Sequence, residues 1–272
     1  MRIDGYLHIM GFAPSRAKAQ RMLSDGVVYV DGKQIKKPAY SIDGEHPPRV
    51  EIRGEVCPYV GRGGYKLAHA LKTFSLDVTG FLCVDIGSST GGFTDCLLQN
   101  GAGHVICVDA GHDQLDVSLR NDARTTVYEG MNARTLDRSV TKTEVDLCVC
   151  DVSFISQTLL FEAVTRVLAP YDEEKGRGSF VSLVKPQFEV GRAGLSKNGI
   201  VRDEKTRLAS VERVLQAALA WGLYPKALTT SPIQGGDGNI EYLVHFIHDA
   251  QAASTASIGE HIMRLVDTLR SK

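Results

Sequence analysis

Residues 81–99 have the sequence FLCVDIGSSTGGFTDCLLQ, in which a short apolar run leads through a glycine-rich turn into an amphipathic segment. This order predicts a buried strand, a tight turn and a helix, because the run has the length of a strand and the glycines interrupt its pattern. Similar apolar runs recur at 104–111, 145–153 and 179–186, with helical patterns between them. Buried strands that alternate with helices predict an α/β fold, a Rossmann-like and mostly parallel sheet with helices on both faces.

The glycine-rich turn is the predicted cofactor site, since ligands of open α/β sheets bind beyond the carboxyl ends of the strands. The turn departs from the dinucleotide pattern G-x-G-x-x-G, because Ser89 stands at the position of the second glycine. S-adenosylmethionine has no pyrophosphate, so this departure favours it over NAD or FAD. Asp85 suits its ammonium end, Asp109 its ribose hydroxyls and Asn132 its adenine edge. The predicted cofactor-binding residues are Asp85, Gly87, Ser88, Ser89, Thr90, Gly91, Gly92, Phe93, Asp109, Ala110 and Asn132.

Residues 1–55 form a separate α+β pattern of two helices and a hairpin. Residues 3–10 have a helical pattern, Ser15 stands at an N-cap position before 16–23, and a strand, an Asp-Gly turn and a second strand follow. The order RIDGYL, then SRAKAQRMLSDGVVYVDGKQI, resembles the RNA-binding domain named after ribosomal protein S-four. A small helical cap with a solvated basic face is the alternative. The predicted RNA-binding residues of this module are Arg2, Arg16, Lys18, Arg21 and Lys33.

Charge is distributed unevenly along the 272 residues. Through Lys66 there are 11 Lys and Arg against 7 Asp and Glu, whereas the remainder has 20 against 25. The asymmetry indicates that an anionic partner binds at the N-terminal end, although ordinary surface variation gives the same count. We predict an RNA-binding domain at 1–55, a linker at 56–65 rich in glycine, and a methyltransferase domain at 66–272.

The cysteine spacing and the length of the apolar runs exclude several classes of function. The six cysteines form no C-x-x-C pair and have no metal-ligand spacing, so we predict structural cysteines and no metal site. No run approaches the ~20 apolar residues of a membrane span, and the first residues do not match a signal peptide. We therefore expect a cytoplasmic protein without a membrane partner.

Four residues at predicted element ends suit methyl transfer to a ribose hydroxyl, which needs an aligned acceptor oxygen and help in removing its proton. A lysine is a weak base unless burial or a neighbouring cation lowers its pKa, and carboxylates hold a lysine pair in register. Asp151 and Lys185 follow runs that we expect to be neighbouring parallel strands. Lys66 opens the first helix of the catalytic domain and Glu241 opens a late strand. Taken singly, Asp151 also fits a helix cap and Glu241 an exposed strand position.

The order Lys, Asp, Lys, Glu is similar to the catalytic tetrad of the FtsJ-like ribose 2'-O-methyltransferases, and the whole chain resembles the TlyA family of ribosomal RNA methyltransferases, often labelled hemolysin A. The motifs are YVGRGGYKL at 59–67, DIGSSTGGFTDCLLQNGA at 85–102, CDVSFIS at 150–156, LVKPQFEVG at 183–191 and GNIEYL at 238–243. The resemblance implies S-adenosylmethionine as cofactor and 2'-O-methylation of cytidine in ribosomal RNA or ribosomal subunits. It also implies that Lys185 lies nearest to the acceptor hydroxyl. We expect a monomer.

Three further features are predicted to contact RNA. Phe154 follows a cofactor-side strand and is predicted to stack on a flipped base, with a core phenylalanine as the alternative. The loop at 186–203 is long enough for a lid, in which Arg192 and Lys197 would contact phosphate. Arg62, in the linker, is predicted to contact RNA or to relay RNA binding to the cofactor pocket.

Three other functions stay open at this point. A membrane-active hemolysin matches the family's common label but has no span or lipidation signal in the sequence. An RNA-binding protein with an inactive methyltransferase fold would bind RNA without methyl transfer. A methyltransferase for small molecules would leave the N-terminal module without a role.

Overall fold

The computed structural model describes residues 1–43, 46–191 and 194–270. The chain divides into two compact units, Met1–Gly61 and Arg62–Lys272. The predicted linker at 56–65 overlaps the first turn of a helix that begins at Gly63. The domain bounds predicted from the sequence stay a prediction. Arg192 lies outside the described residues.

The first unit is a small α+β domain. Its elements are α1 (Ile3–Ile9), α2 (Arg16–Ser24), β1 (Val28–Val30), β2 (Lys33–Gln34) and β3 (Val50–Ile52). The Ser15 side chain caps α2 by accepting a hydrogen bond from the Lys18 amide. Asp31 and Gly32 both have positive φ, 49° and 80°, as a two-residue hairpin turn requires. The sheet has the order β2-β1-β3 and is antiparallel, so it gains a third strand beyond the predicted hairpin.

The second unit contains a seven-stranded sheet with the order β6-β5-β4-β7-β8-β10-β9. Its strands are β4 (Leu82–Ile86), β5 (His104–Val108), β6 (Thr125–Tyr128), β7 (Leu147–Cys150), β8 (Ser179–Val184), β9 (Leu223–Thr230) and β10 (Tyr242–His248). The strands β4 to β8 pair in parallel, and β10 is antiparallel to both of its neighbours. The prediction of a mostly parallel Rossmann-like sheet is thus confirmed.

The helices of this unit connect the strands. They are α3 (Gly63–Thr73), α4 (Gly92–Gln99), α5 (Val117–Arg120), α6 (Arg138–Thr141), α7 (Phe161–Val167), α8 (Pro186–Glu189), α9 (Glu204–Leu219), α10 (Ala250–Ala253) and α11 (Ile258–Arg270). Short 3-10 turns lie at Ala133–Thr135 and Gln157–Leu160. Every helix in the described parts of the chain is too short or too polar to cross a membrane.

Helices cover both faces of the sheet. On one face, residues of β4, β7, β8 and β10 share a buried cluster with α7, α9 and α11, in which Phe161, Phe180 and Phe246 have ring centroids 5.6 to 6.3 Å apart. On the other face α3 packs against α4. There Phe74, at the end of α3, stacks on His245 of β10.

All six cysteines are buried as free thiols. Four of them lie in β4, β5 and β7, where burial raises the pKa of Cys107, for example, to about 12. A thiol that stays protonated is a poor nucleophile and metal ligand. These side chains therefore act as small core residues, as predicted.

Candidate active site

The second unit brings the four predicted catalytic residues together at one edge of the sheet. Asp151 and Lys185 directly follow β7 and β8, which are parallel neighbours. Glu241 directly precedes β10, and because β10 is antiparallel to β8, its start lies at the edge where β8 ends. Lys66 lies one turn into α3 rather than at its start, because the helix already begins at Gly63. The chain topology therefore places two lysines and two carboxylates at a common point.

The four charges alternate in sign. Lys66 Nζ lies 2.6 Å from Glu241 Oε2 and 3.9 Å from Asp151 Oδ2, while Lys185 Nζ lies 2.6 Å from Asp151 Oδ1. Three of the four residues are buried: the solvent-exposed fraction is 8% for Lys66, 9% for Lys185 and 2% for Glu241. Burying a charge is costly unless an opposite charge compensates it. The neutral cluster satisfies this condition and fixes both ammonium groups.

Two adjoining cavities meet at this cluster. The larger, about 710 Å³, extends along the ends of β4 and β5. The smaller, about 210 Å³, lies between the glycine-rich turn, the start of α3 and Lys185. Both are lined by Gly87, Ser89, Asp151 and Ser153. The larger volume is within the range of ligand pockets, and the smaller one leads from it to the lysine.

Most of the predicted cofactor-binding residues line these cavities. Gly87, Ser89, Asp109, Ala110 and Asn132 line the larger one. The smaller one is lined by Gly87, Ser88, Ser89, Thr90, Gly92 and Phe93. Asp85 and Gly91 belong to neither lining among the described residues. Gly91 instead has a φ of 96° at the start of α4, where a Cβ would lie 2.2 Å from Leu119 Cδ1.

Asp85, which was expected at an ammonium group, is completely buried beneath the glycine-rich turn. Its Oδ2 accepts hydrogen bonds from the Thr94 amide at 3.0 Å and the Thr94 hydroxyl at 2.7 Å. Its Oδ1 has no hydrogen-bond partner among the described residues. Burial, opposed by the Thr94 hydroxyl and reinforced by the charges of Asp151 and Asp109, raises its pKa to about 7. The buried carboxyl group therefore stabilises the glycine-rich turn through its hydrogen bonds with Thr94.

Replacing Asp85 by asparagine is expected to remove a pH dependence of stability. Between about pH 4 and 7 the folded protein keeps the Asp85 proton that the unfolded chain has lost, so rising pH lowers the free energy of unfolding across this window. Asparagine keeps an acceptor for Thr94 and does not titrate. The free energy of unfolding, measured with urea, should fall between about pH 5 and about pH 8 by about 2 kcal/mol more in the wild type than in Asp85→Asn. A difference between the two proteins that does not change with pH would contradict this role.

Asp109 organises the turn from the side. Its Oδ2 accepts from the Ser89 amide and its Oδ1 from the Gly111 amide, each at 2.7 Å. A carboxylate oxygen has a second lone pair, so both oxygens can still accept from a ribose diol. Gln114 also lines the larger cavity and accepts a hydrogen bond from the Ser89 hydroxyl at 3.2 Å.

Three polar side chains that line the cavities were not predicted from the sequence, namely Gln114, Arg134 and Ser153. Arg134 donates from Nε to Asn132 Oδ1 at 3.3 Å, beside the larger cavity. Ser153 Oγ accepts a hydrogen bond from Lys185 Nζ at 2.8 Å. No motif distinguishes Gln114 or Arg134 from ordinary loop residues. The position of Ser153, two residues after Asp151, was the one available signal.

Phe154 projects from the lining of the larger cavity and is 91% exposed. This exposure is incompatible with the alternative of a core phenylalanine. Its backbone has a φ of 67°, which is rare for a side chain of this size. The only ring contact recorded for it in the described part of the chain is with Phe188, at a centroid distance of 5.3 Å. The structure thus presents an aromatic ring to solvent beside the tetrad.

In the first unit, Asp4 gathers two of the predicted RNA-binding residues. Its buried carboxylate accepts hydrogen bonds from Arg2 at 2.9 Å, Gln20 at 2.7 Å and Arg16 at 3.2 Å. Burial would raise the pKa of Asp4, but the bonds from Arg2, Gln20 and Arg16 hold it well below its usual range. Arg2 and Arg16 still expose about half of their side chains, 52% and 56%. Both guanidinium groups are therefore oriented and accessible.

Lys18 and Arg21 bind main-chain oxygens within the same unit. Lys18 Nζ donates to the carbonyls of Cys57 and Tyr59, and Arg21 Nη1 donates to the carbonyl of Val60 at 2.7 Å. Their cationic groups thus hold the segment 57–60 against α2. This structural role was not predicted, and it competes with any phosphate contact.

The remaining predicted RNA contacts are exposed. Lys33 lies on β2 and Lys197 in the long loop before α9, both with exposed side chains. Arg62 is exposed at the beginning of the second unit, directly before α3.

Comparison with known proteins agrees with this architecture. Residues 59–248 match the family of FtsJ-like methyltransferases, and residues 1–46 match the S4 domain. YqxC from Bacillus subtilis is 40% identical over 100% of this chain and 96% of its own length. The 16S/23S rRNA (cytidine-2'-O)-methyltransferase TlyA from Mycobacterium tuberculosis is 40% identical over 89% of this chain and 88% of its own.

The chain is also similar to a solved structure from Streptococcus thermophilus, which carries a hemolysin name. The match covers 100% of this chain and 97% of the other chain, with a TM-score of 0.72 and 37% sequence identity. The matches therefore extend over both units of the chain. Together with the family match over most of the sequence, they show that this chain belongs to the FtsJ-like methyltransferase family and stands among its TlyA-type members.

Proposed function

We propose that this protein transfers a methyl group from S-adenosylmethionine to the ribose 2'-hydroxyl of a cytidine in ribosomal RNA. The observation that carries the proposal is the ion-paired cluster of Lys66, Asp151, Lys185 and Glu241, in which Asp151 lines both cavities and Lys185 lines the smaller one. The similarity to TlyA of Mycobacterium tuberculosis, an rRNA cytidine 2'-O-methyltransferase by name, supports the choice of substrate.

The larger cavity fits S-adenosylmethionine in size and chemistry. Asp109 and Asn132 supply polar groups that suit a ribose diol and an adenine edge. The apolar part of the lining suits the adenine ring and includes Val108, Met131, Ile155 and Leu160. The amino-acid end would extend toward the hydroxyls and amides of Ser88 and Thr90 in the smaller cavity.

The chain's own residues then assist the transfer. S-adenosylmethionine, when bound, would supply an electrophilic methyl group, with S-adenosylhomocysteine as the leaving group. Lys185, held by Asp151, lines the smaller cavity and is placed to donate a hydrogen bond to the acceptor oxygen and to stabilise the negative charge that develops there as the proton of the 2'-hydroxyl passes to water. Lys66 and Glu241 fix Asp151 from the other side. A fixed cluster avoids reorganisation during the reaction, which is how a preorganised site accelerates it.

RNA binding is assigned to the first unit and to Phe154. The oriented guanidinium groups of Arg2 and Arg16, with Lys33, are suited to phosphates, and such contacts make binding salt-dependent. Because one copy of the chain supplies all four tetrad residues, we propose that it acts as a monomer. Its substrate places it in the cytoplasm.

The direct test is transfer of a radiolabelled methyl group from S-adenosylmethionine to small subunits, large subunits and protein-free ribosomal RNA. We expect incorporation into at least one of these, at a cytidine whose phosphodiester bond becomes resistant to alkali because its 2'-oxygen is blocked. RNA binding without any transfer would support an inactive methyltransferase fold instead. Incorporation into a base, leaving the alkali-sensitive bond intact, would contradict ribose chemistry.

Replacing Phe154 by alanine should weaken the use of RNA and spare the cofactor. Stacking of a base on an aromatic ring contributes about 1–3 kcal/mol, so kcat/KM for RNA should fall by about 5- to 150-fold. The dissociation constant for S-adenosylmethionine, measured by calorimetry, should change little. Trp221→Ala is the matched control, since this exposed aromatic lines neither cavity among the described residues. Equal kcat/KM for Phe154→Ala and the wild type would remove Phe154 from the substrate site.

A further inference from the structure

The two tetrad lysines have different surroundings. Among the described residues, Lys66 Nζ contacts only carboxylates, those of Glu241 and Asp151. Lys185 Nζ contacts one carboxylate, Asp151, at 2.6 Å and one hydroxyl, Ser153 Oγ, at 2.8 Å. The residue nearest to the proposed acceptor therefore has a neutral second partner.

A hydroxyl partner differs from a carboxylate in one chemical respect. An ionised carboxylate only accepts hydrogen bonds, whereas a serine hydroxyl accepts from an ammonium group and donates to a neutral amine by rotating about its C–O bond. Ser153 can thus remain bonded to Lys185 Nζ in both protonation states of the lysine.

The position of Ser153 fits this role. Its side chain is exposed and lines both cavities, at the junction where cofactor and acceptor would meet, whereas Lys185 is buried. Lys185 Nζ donates one hydrogen to Ser153 Oγ and lies at ion-pair distance from Asp151 Oδ1, which leaves ammonium hydrogens for the smaller cavity, which Lys185 lines.

The segment that carries Ser153 is held at both ends. On one side, a Cβ on Gly87 would lie 2.6 Å from the Asp151 carbonyl oxygen, so the main chain at Asp151 packs directly on the glycine-rich turn. On the other side, Glu189 accepts hydrogen bonds from the Ser156 hydroxyl at 2.6 Å and the Gln157 amide at 3.0 Å. Support of this kind keeps a site residue within the narrow geometry that catalysis requires.

We propose that Ser153 is a positioning residue, which orients the ammonium group of Lys185 toward the acceptor hydroxyl through the hydrogen bond that its Oγ accepts. The assignment rests on the proposed methyl transfer. Hydrogen bonds to charged groups contribute about 1.5–3 kcal/mol, which corresponds to roughly 10- to 150-fold in rate.

The test compares Ser153→Ala with Ser153→Thr in single-turnover methylation of the RNA that the wild type modifies. We expect Ser153→Ala to lower the rate of transfer by about 10-fold or more, with KM for RNA and for S-adenosylmethionine within about twofold of wild type. Ser153→Thr keeps the hydroxyl and should restore most of the rate. Ser254→Ala, which removes an exposed hydroxyl bonded to the Gln251 carbonyl, should leave the rate unchanged.

Each contrary outcome has a definite meaning. An active wild type with an unaffected Ser153→Ala variant overturns the assignment of Ser153 alone. A loss that is confined to KM, or that Ser153→Thr does not repair, also overturns it, because a positioning hydroxyl acts on the transfer step. A wild type that transfers no methyl group to any RNA contradicts the proposed function, and the assignment of Ser153 with it.

Discussion

Lys185→Ala is expected to lower the rate of methyl transfer by about 10²- to 10⁴-fold, the range contributed by a positioned acid–base group. The variant loses the only ammonium group that lines the smaller cavity among the described residues, so the acceptor oxygen would lose its cationic partner. Asp151 would keep Lys66 Nζ at 3.9 Å, which leaves its carboxylate partly compensated. Single-turnover rates at saturating RNA and cofactor give the chemical step separately from binding.

The cofactor should still bind to Lys185→Ala, because the larger cavity is lined by residues of the glycine-rich turn and the β5 and β6 ends. Calorimetric affinity within a few-fold of wild type would show that the loss is chemical. Lys72→Ala is the matched control, since it removes an exposed lysine from the last turn of α3. Wild-type rates in Lys185→Ala would refute the tetrad as the catalytic group.

The positions of Asp151 and Lys185 at one edge of the sheet could be predicted from the sequence pattern. The proximity of Lys66 and Glu241 to them was implied only by the family resemblance. Asp151 and Lys185 follow apolar runs that had to be buried strands, and neighbouring parallel strands end at one edge. Lys66 and Glu241 are 175 positions apart and bond at 2.6 Å. Their contact depends on β10 inserting antiparallel between β8 and β9. Strand order of this kind is set by the packing of the whole sheet, which local periodicity does not report.

Side-chain partners were less predictable than strand positions. Asp85 stands out in the sequence as an acidic residue before a glycine-rich turn. Its side chain is nevertheless buried and accepts hydrogen bonds from Thr94. Lys18 and Arg21 have the spacing of an exposed basic face, but each binds carbonyl oxygens of a segment about 40 positions away. Ser153 has an ordinary loop identity, and its importance follows from where Lys185 lies. Such roles are fixed by tertiary contacts between distant segments.

Gly87→Ala is expected to destabilise the protein and to abolish cofactor binding together. Gly87 has a φ of 80°, a conformation that costs an alanine about 1–2 kcal/mol. Its Cβ would also lie 2.6 Å from the Asp151 carbonyl oxygen and 3.1 Å from the Asp151 carbonyl carbon. These are main-chain atoms that cannot rotate away, so either the turn or the end of β7 has to move. We expect a loss of about 2–4 kcal/mol in the free energy of unfolding, measured with urea.

The functional loss in Gly87→Ala should exceed what this destabilisation explains, because Gly87 and Asp151 line both cavities. A displacement of the main chain there shifts the cofactor site and the tetrad at once, and small misplacements cost about 10²-fold in rate. Gly259→Ala is the control: this glycine is in α11, a Cβ would meet nothing within 4 Å, and alanine should stabilise the helix slightly. If Gly87→Ala folds and binds S-adenosylmethionine as tightly as the wild type at low temperature, the close packing of the glycine-rich turn on Asp151 is not required for the site. The tetrad would then have to be held by its ion pairs alone.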